Sequence, residues 1–263
     1  MKSCDFLVIG GGSAGYAAAR TAQAAGLKVM VIEGGAEVGG LCILKGCMPS
    51  KTLIESANRM RTLERAEDFG LRAERIGFEG RDIIARKRRL IHDFADYRVA
   101  QLEDGRFEFV RAEAAFEGPN RVQLRLLGGG SEAVTFRTCL IATGSRIALP
   151  PLEGLADTGY FTSDDALDRE EIPRSLIVLG GGPIALELAH FYASLGVATT
   201  IIQRSNQVLS SIDRDVSEAL ERAYRDRGIA LYTGTQITRI ERTATGKQVT
   251  FQQAGESVVV EAE

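Results

Sequence analysis

The feature that most constrains the fold of this chain is a strand–glycine–helix pattern that occurs twice. The apolar run at 6–9 leads into the glycine turn 10–15 (GGGSAG), and the run at 176–179 leads into the turn 180–185 (GGGPIA). The first glycine of each turn and the glycine that ends each helical stretch recur 170 residues later, Gly10 at Gly180 and Gly26 at Gly196. A G-x-G-x-x-G turn between a strand and a helix is typical of dinucleotide binding. The sequence therefore predicts an α/β fold with two Rossmann-like nucleotide-binding domains.

The first turn has a physical reason for each glycine. Gly10 allows the tight turn, Gly12 lets the backbone approach a pyrophosphate, and Gly15 lets the helix lie close to the strand. The helix N-terminus supplies N–H groups and a positive dipole end for the phosphates. Glu33, at the end of the second apolar run, is placed to accept hydrogen bonds from a ribose.

The second turn differs from the first at the position of the acid. Gly180, Gly182 and Ala185 match the fingerprint, which tolerates alanine at its third glycine. Gln203 stands where Glu33 stands in the first unit, and Arg204 follows. A carboxylate there would repel a 2′-phosphate, whereas an arginine accommodates it. This favours NADPH over NADH, although Arg204 is equally well read as a solvated surface residue.

Composition excludes several classes of protein. The 32 Lys+Arg and 35 Asp+Glu give a net charge of −3, unlike the basic excess of nucleic-acid binders. No apolar run reaches the length of about 20 residues that crosses a bilayer, and the N-terminus lacks the features of a signal peptide. Four cysteines are too sparse for a disulfide scaffold. We expect a cytoplasmic protein with no membrane or nucleic-acid partner.

Two of the cysteines, Cys42 and Cys47, stand close in sequence within the segment 39–51. In a regular helix, residues five apart are too distant for a disulfide. A bridge therefore requires an irregular turn, which Gly46 permits and Pro49 favours by restricting the residue before it.

The cysteine pair is compatible with three interpretations. A zinc site lacks further ligands, so no metal site is predicted; the other candidates stand isolated in sequence: Cys4, Cys139, His92 and His190. Two buried, inert cysteines are the second interpretation. A reversible dithiol fits best in a cytoplasmic chain, and Lys51 would favour a nearby thiolate or an anionic cofactor.

The order of the first glycine turn, the cysteine segment 42–51 (CILKGCMPSK) and the second glycine turn resembles the FAD-dependent pyridine nucleotide–disulfide oxidoreductases. The segments 141–146 (IATGSR) and 163–167 (SDDAL) are also similar to that family. The resemblance implies that Cys47 sits against the flavin, that Cys42 is the interchange thiol, and that Lys51 approaches the flavin ring paired with Glu187. It also implies two sets of cofactor-binding residues. Those for FAD are Gly10, Gly12, Gly15, Glu33, Gly40, Lys51, Ala114, Thr143 and Gly144, and those for the nicotinamide cofactor are Gly180, Gly182, Ala185, Gln203 and Arg204.

The rest of the chain predicts a long helix at 82–102, whose basic run 86–89 is read as a solvated face. Strands at 107–116, 121–127 and 134–142 form a β-meander inserted in the first domain, and strands at 237–241, 248–252 and 257–260 repeat it.

The sequence predicts an FAD domain at 1–147 and an NAD(P)H domain at 148–263. The second domain lacks a final parallel strand, and the family's interface domain, which supplies its dimer contact, is missing. We expect a fragment of a longer enzyme or a truncated gene product, and the resemblance implies a homodimer for the full-length enzyme.

The predicted function is an electron relay between NAD(P)H and a disulfide or dithiol substrate through FAD and the Cys42–Cys47 pair. One alternative is a non-catalytic FAD-binding fragment or redox sensor. Another is an NAD(P)H:quinone-type reductase that does not use the cysteine pair.

Overall fold

The computed structural model describes residues 2–263 and divides into two compact units. Unit 1 contains the chain up to Pro49 together with Arg88–Arg146, and unit 2 contains Ser50–Lys87 together with Ile147–Glu263. Unit 2 thus includes the segment 50–87 in addition to the residues from 147 onward. Leu53, Ala57 and Ile84 of that segment share a buried apolar cluster with Phe191 and Tyr192.

The elements of the first half follow in chain order. They are β1 (Lys2–Ile9), α1 (Ser13–Ala24), β2 (Val29–Glu33), α2 (Gly40–Leu44), α3 (Cys47–Glu64), a 3₁₀ turn (Ala66–Phe69), α4 (Gly80–Leu102), β3 (Glu108–Gly118), β4 (Arg121–Leu126) and β5 (Ser131–Ile141). The second half contains α5 (Leu155–Thr158), α6 (Ser163–Asp168), β6 (Ser175–Leu179), α7 (Pro183–Ser194), β7 (Ala198–Ile202), α8 (Arg214–Arg225), β8 (Ala230–Tyr232), β9 (Thr235–Arg242), β10 (Lys247–Gln253) and β11 (Glu256–Ala262). Within the described residues, no helix is long and apolar enough to cross a membrane.

The sheet of unit 1 closes on itself in the order β1-β2-β3-β4-β5. β1 pairs in parallel with β2 and β5, and β2 pairs in parallel with β3. β3, β4 and β5 pair antiparallel, which confirms the predicted meander. The first and third strands of the meander continue into the parallel sheet, where β3 pairs with β2 and β5 pairs with β1. Leu7, Met30, Leu124 and Val134 are fully buried in one core cluster of this unit.

Unit 2 has two three-stranded sheets. β6, β7 and β8 are parallel, and β9, β10 and β11 are antiparallel, so the second predicted meander is confirmed. Among the described residues, no strand pairs with the free edge of β6 as β5 pairs with β1. The backbone N–H of Glu263 donates to the Ser175 hydroxyl, 3.0 Å away at the start of that edge.

The internal repeat is present in the backbone hydrogen bonds. Gly10 N–H donates to the carbonyl of Ile32 over 2.7 Å, and Gly180 N–H donates to that of Ile202 over 2.9 Å. The glycines that end α1 and α7 adopt the same left-handed conformation, with φ of 82° at Gly26 and 81° at Gly196. Pairs of residues separated by 170 positions therefore have equivalent structural roles, as the sequence predicts.

The basic run in α4 is a solvated face only in part, since Arg88 and Arg89 are exposed but Arg86 and Lys87 are not. Lys87 is only 4% exposed and forms an ion pair with Asp168 over 2.5 Å. Arg86 donates to the carbonyl of Thr52 over 3.1 Å. The expectation was wrong for these two residues because this part of α4 packs against the α3 segment and α6 in unit 2.

Candidate cofactor and dithiol site

The first glycine turn, residues 10–15, forms a concave backbone surface, here called the cradle, which side chains at its glycine positions would fill. Gly10 has φ of +109°, and a Cβ there would lie 2.2 Å from the carbonyl oxygen of Ala142. A Cβ on Gly15 would lie 1.8 Å from the carbonyl oxygen of Gly10. Gly12 caps α1 in an extended conformation, with no side-chain hydrogen bond to the first helical turn. The N–H groups of that turn therefore remain suited to a pyrophosphate, so the cradle fits a dinucleotide.

Glu33 closes this turn from the end of β2. Its buried carboxylate accepts a hydrogen bond from Gly11 N–H over 2.8 Å and another from Gly35 N–H over 2.7 Å. A carboxylate has about four acceptor positions, so acceptor capacity remains for a ribose hydroxyl. Glu33 thus orders the glycine turn and can still accept a hydrogen bond from a ribose hydroxyl.

The loop after Glu33 is held by a residue that sequence reasoning missed. Arg111 on β3 donates from Nε to the carbonyl of Glu33 over 3.3 Å, and from Nη2 to the carbonyls of Gly35 and Ala36. No motif marks Arg111 in the sequence, because its role depends on the pairing of β3 with β2. Ala114, a predicted cofactor residue, lies farther along β3 and pairs with Leu124.

Helix α2 begins in contact with the glycine turn. A Cβ on Gly40, whose φ is +71°, would lie 2.5 Å from the Cα of Gly12. At Gly144, where φ is +74°, a Cβ would lie 3.2 Å from Leu41 in α2. Ala142 N–H donates to the carbonyl of Ile9, so the segment carrying Thr143 and Gly144 leaves the sheet beside the first turn. The structure thus brings together in unit 1 the predicted residues Gly10, Gly12, Gly15, Glu33, Gly40, Thr143 and Gly144.

The cysteine pair flanks a break between two helices. α2 ends at Leu44 and α3 begins at Cys47, which confirms the irregular turn that the sequence predicts. Gly46 is needed at this break, because a Cβ there would lie 2.8 Å from the carbonyl oxygen of Leu41 and 3.3 Å from the Cα of Cys42. Pro49 lies inside the first turn of α3, so the break precedes the residues that proline restricts.

The four cysteines fall into two classes. Cys42 is half-buried and Cys47 is exposed, whereas burial raises the pKa of the Cys4 thiol to about 11 and also raises the pKa of Cys139. In the part of the chain that the structure describes, no cysteine forms a disulfide, and no group of three or more His, Cys, Asp or Glu side chains is arranged to hold a metal. The accessible pair is therefore the one suited to thiol chemistry.

Lys51 and Glu187 meet within unit 2, 136 residues apart in sequence. Lys51 Nζ forms an ion pair with Oε1 of Glu187, and Ser50 donates its hydroxyl to Oε2 over 2.9 Å. Consecutive residues thus hold the two oxygens of one carboxylate. The ion pair is substantially exposed, since 58% of the Lys51 side chain is accessible to solvent. It therefore contributes little to stability, and its main effect is to fix the position of the Lys51 ammonium group. Ser50 was not singled out in the sequence.

The second glycine turn repeats the first with an amide in place of the acid. Gln203 Oε1 accepts a hydrogen bond from Gly181 N–H over 3.0 Å, as Glu33 does from Gly11, and its amide nitrogen donates to the carbonyl of Gln207. Gly182 caps α7, whose first turn contains Ala185, in the same extended conformation as Gly12. Arg204 is exposed directly after Gln203. Gly180, Gly182, Ala185, Gln203 and Arg204 are therefore gathered at one turn of unit 2.

Both histidines lie away from these turns. His92 Nδ1 lies 2.9 Å from Asp96 Oδ2 on the exposed surface of α4. In unit 2, His190 Nε2 pairs with Asn58 Oδ1 over 2.9 Å, and its Nδ1 lies 3.1 Å from Arg227 Nη1. Burial, with the nearby charges of Arg227 and Arg61, lowers the pKa of His190. A neutral ring therefore accepts from Arg227 and donates to Asn58.

Comparison with known proteins agrees with this site. Residues 4–263 match the model of the family described as pyridine nucleotide-disulphide oxidoreductase. The chain is 32% identical over 260 residues to a mercuric reductase from Bacillus cereus, covering 98% of this chain and 40% of that protein. It is 31% identical over 260 residues to a dihydrolipoyl dehydrogenase from Geobacillus stearothermophilus, covering 98% of this chain and 54% of that enzyme.

The chain is also similar to a solved structure over nearly its whole length. The HOCl-induced flavoprotein disulfide reductase RclA from Escherichia coli superimposes with a TM-score of 0.78 at 26% identity. That match covers 98% of this chain and 55% of RclA. The chain thus spans about half the length of the curated relatives and of the solved structure that it matches.

Proposed function

This chain belongs to the pyridine nucleotide–disulphide oxidoreductase family, and we propose that it relays electrons between NAD(P)H and a disulfide or dithiol substrate. In this proposal unit 1 holds FAD, the second glycine turn holds the nicotinamide cofactor, and Cys42 and Cys47 exchange electrons with the substrate. The substrate is a small-molecule or protein-bound disulfide or dithiol, and the whole enzyme is a homodimer.

The observation that carries the proposal is the close approach of Gly40 to Gly12. It fixes the start of α2 against the turn that would hold the FAD pyrophosphate, with 2.5 Å between Gly12 Cα and a Cβ built on Gly40. Cys42 follows Gly40 by two residues, and Cys47 follows the break at Gly46. A dithiol anchored on the cofactor turn is the arrangement that electron transfer between flavin and thiols requires.

The roles of the two thiols follow from thiol–disulfide exchange. The Cys42 thiolate attacks one sulfur of the substrate disulfide, whose S–S bond breaks, and one substrate thiolate leaves and takes up a proton. Cys47 then attacks the Cys42 sulfur of the mixed disulfide, forming the Cys42–Cys47 disulfide and releasing the second substrate thiolate. Bound FAD, reduced by NAD(P)H, would supply the two electrons that restore the dithiol.

Lys51 supplies a fixed positive charge in the same helix as Cys47. It lies four residues, or about one helical turn, after Cys47 in α3. Glu187 and Ser50 restrict its position. A cation held near this end of α3 would favour a thiolate or a reduced, anionic flavin over their neutral forms.

The proposal predicts that the FAD-loaded protein is reduced by a nicotinamide nucleotide. Addition of NADPH or NADH without oxygen is expected to bleach the flavin absorbance and to produce a long-wavelength charge-transfer band, which Cys47→Ser removes. Bound FAD that neither nucleotide reduces would favour the redox-sensor alternative. Turnover with a quinone acceptor that survives serine at both Cys42 and Cys47 would favour the quinone-reductase alternative.

We further propose that the nicotinamide cofactor is NADPH, because Gln203 replaces the carboxylate and Arg204 follows it. Gln203→Glu keeps an oxygen for Gly181 N–H, as Glu33 does for Gly11, adds a negative charge and removes the donor to the Gln207 carbonyl. The variant is expected to lower the ratio of NADPH to NADH reduction rates about 10-fold or more, by repulsion of the 2′-phosphate. Stopped-flow bleaching of the flavin measures this ratio.

Gln207→Glu is the matched control, since it introduces the same charge four residues away in the same loop. Its ratio is expected to stay near that of the unmodified protein. An unchanged ratio in Gln203→Glu would contradict the assignment to NADPH.

A further inference from the structure

The loop that carries Arg204, residues 203–209, begins and ends on the second glycine turn. The Gln203 side chain accepts the N–H of Gly181, and Leu209 N–H donates to the carbonyl of Gly181 over 2.8 Å. Both ends of the 203–209 loop are therefore bonded to one glycine of the turn. The position of the loop is thus tied to the turn that would hold the nicotinamide cofactor.

Helix α8 holds this loop at Val208 by both backbone groups. The Val208 N–H donates to Oε1 of Glu221 over 3.0 Å, and the Val208 carbonyl accepts the hydroxyl of Ser217. Val208 and Ser217 are fully buried, and Glu221 is only 7% exposed. Ser217 and Glu221 lie four residues apart, about one helical turn, so one face of α8 makes both contacts.

Glu221 is a charged group in a buried position. Burial of a carboxylate is unfavourable unless the group is hydrogen-bonded and paired. Here Oε1 accepts the Val208 N–H, and Oε2 lies 3.3 Å from Nη2 of Arg225, one turn later on α8. A hydrogen bond to an ionised acceptor is about twice as strong as one between neutral groups. The carboxylate therefore holds the backbone of Val208 more firmly than a neutral acceptor would.

The residue after Val208 has an unusual backbone conformation. Leu209 has φ of +48°, in the left-handed region that residues of its type rarely adopt. Such conformations persist where the surroundings fix them, and they are frequent at ligand sites. Leu209 is fixed on one side by its bond to Gly181 and on the other by the contacts of Ser217 and Glu221 with Val208.

The internal repeat holds the equivalent loop of unit 1 by a different residue. There Arg111 on β3 donates to carbonyls of the loop that starts at Glu33. In unit 2, Ser217 and Glu221 hold the 203–209 loop from α8. Two unrelated sets of contacts thus fix the loop after the ribose-binding position, which indicates that a fixed loop serves the same purpose in both units.

We propose that Glu221 and Ser217 are positioning residues for the 2′-phosphate of NADPH: by fixing Val208, they keep Arg204 in place to contact this phosphate. The inference rests on the proposed function, because it takes NADPH as the cofactor and Arg204 as its contact. Arg204 is exposed and lies four residues before Val208, so its position depends on that of the loop. A loop released from α8 would have to be ordered again when the nucleotide binds, which weakens binding.

The test measures the affinities of the FAD-loaded protein for NADP⁺ and NAD⁺, which cannot reduce the flavin, by isothermal titration calorimetry. Glu221→Ala is expected to lower the ratio of NADP⁺ to NAD⁺ affinity about 10-fold, because the contact to the 2′-phosphate is lost. Glu221→Gln keeps an oxygen for the Val208 N–H and is expected to restore most of the ratio.

Glu218→Ala is the matched control on the same helix. Glu218 pairs with Arg214 four residues away, as Glu221 pairs with Arg225, but the Glu218 side chain is exposed. The variant is expected to keep the NADP⁺ to NAD⁺ ratio of the unmodified protein.

A double substitution shows whether Glu221 acts through Arg204. Arg204→Ala is expected to lower the ratio, and Glu221→Ala added to it is expected to cause no further decrease, because no guanidinium remains to be positioned. A purely structural Glu221 would affect the free energy of unfolding in urea and leave the ratio unchanged. If Glu221→Ala fails to fold, Ser217→Ala, which removes only a hydroxyl, is expected to lower the ratio about 3-fold.

The outcomes separate this inference from the proposed function. An unmodified protein that prefers NADP⁺, with an unchanged ratio in Glu221→Ala or in Ser217→Ala, would overturn the positioning role alone. A preference of the unmodified protein for NAD⁺ would contradict both the assignment to NADPH and this inference. An unmodified protein that binds neither nucleotide would overturn the proposed function itself.

Discussion

Serine at either Cys42 or Cys47 is expected to halve the number of electrons that the FAD-loaded protein accepts. In the oxidised protein the Cys42–Cys47 disulfide would take up two electrons and FAD another two, giving about four per FAD. A single remaining thiol has no partner with which to form this disulfide, so each variant would accept about two. Anaerobic titration with dithionite, followed by flavin absorbance, counts these electrons without requiring turnover or a known substrate.

Cys139→Ser is the control for this titration. Burial raises the pKa of Cys139, and its neighbours in the sheet of unit 1 keep it from the α2–α3 break. It is expected to accept about four electrons per FAD, like the unmodified protein. An unmodified protein that accepts about two, or a Cys47→Ser variant that still accepts about four, would show that the pair is not part of the relay.

The sequence predicted the parts of the fold that depend on local pattern and on the internal repeat. Glycine at 10, 26, 180 and 196 must adopt positive φ to end strands and helices, so its spacing identifies the turns directly. Continuous apolar runs such as 176–179 indicated strands of a parallel sheet, and the repeat confirmed each assignment by placing a second copy 170 residues away.

The parts that the sequence did not predict depend on contacts between distant residues. Lys87 and Asp168 are 81 residues apart, so a run of four basic residues gave no sign that one of them is buried in an ion pair. Arg111 acts through strand pairing, because the pairing of β3 with β2 brings its guanidinium to the carbonyl of Glu33. Lys51 and Glu187 were paired only through the family resemblance, because each is an ordinary surface charge in the sequence.

Gly10 and Gly180 occupy equivalent positions of the repeat, and alanine at Gly10 is expected to have the largest effect on the stability of the fold. Gly10 and Gly180 have nearly the same φ, +109° and +114°, so alanine is strained similarly at both. They differ in surroundings: a Cβ on Gly10 would lie 2.2 Å from the carbonyl oxygen of Ala142, whereas a Cβ on Gly180 would meet no atom within 4 Å. Comparison of the two substitutions isolates the cost of that contact.

Gly180→Ala is expected to destabilise the protein by about 1–2 kcal/mol, the cost of the strained backbone alone, and to retain FAD binding. Gly10→Ala is expected to cost at least about 3 kcal/mol and to abolish FAD binding. The carbonyl of Ala142 cannot withdraw freely, because the N–H of the same residue donates to Ile9 over 2.8 Å and fixes the end of β5 against β1. Urea unfolding and FAD titration of both variants measure the difference. Equal losses of stability would show that the backbone around Gly10 rearranges to accept a Cβ at no cost in free energy.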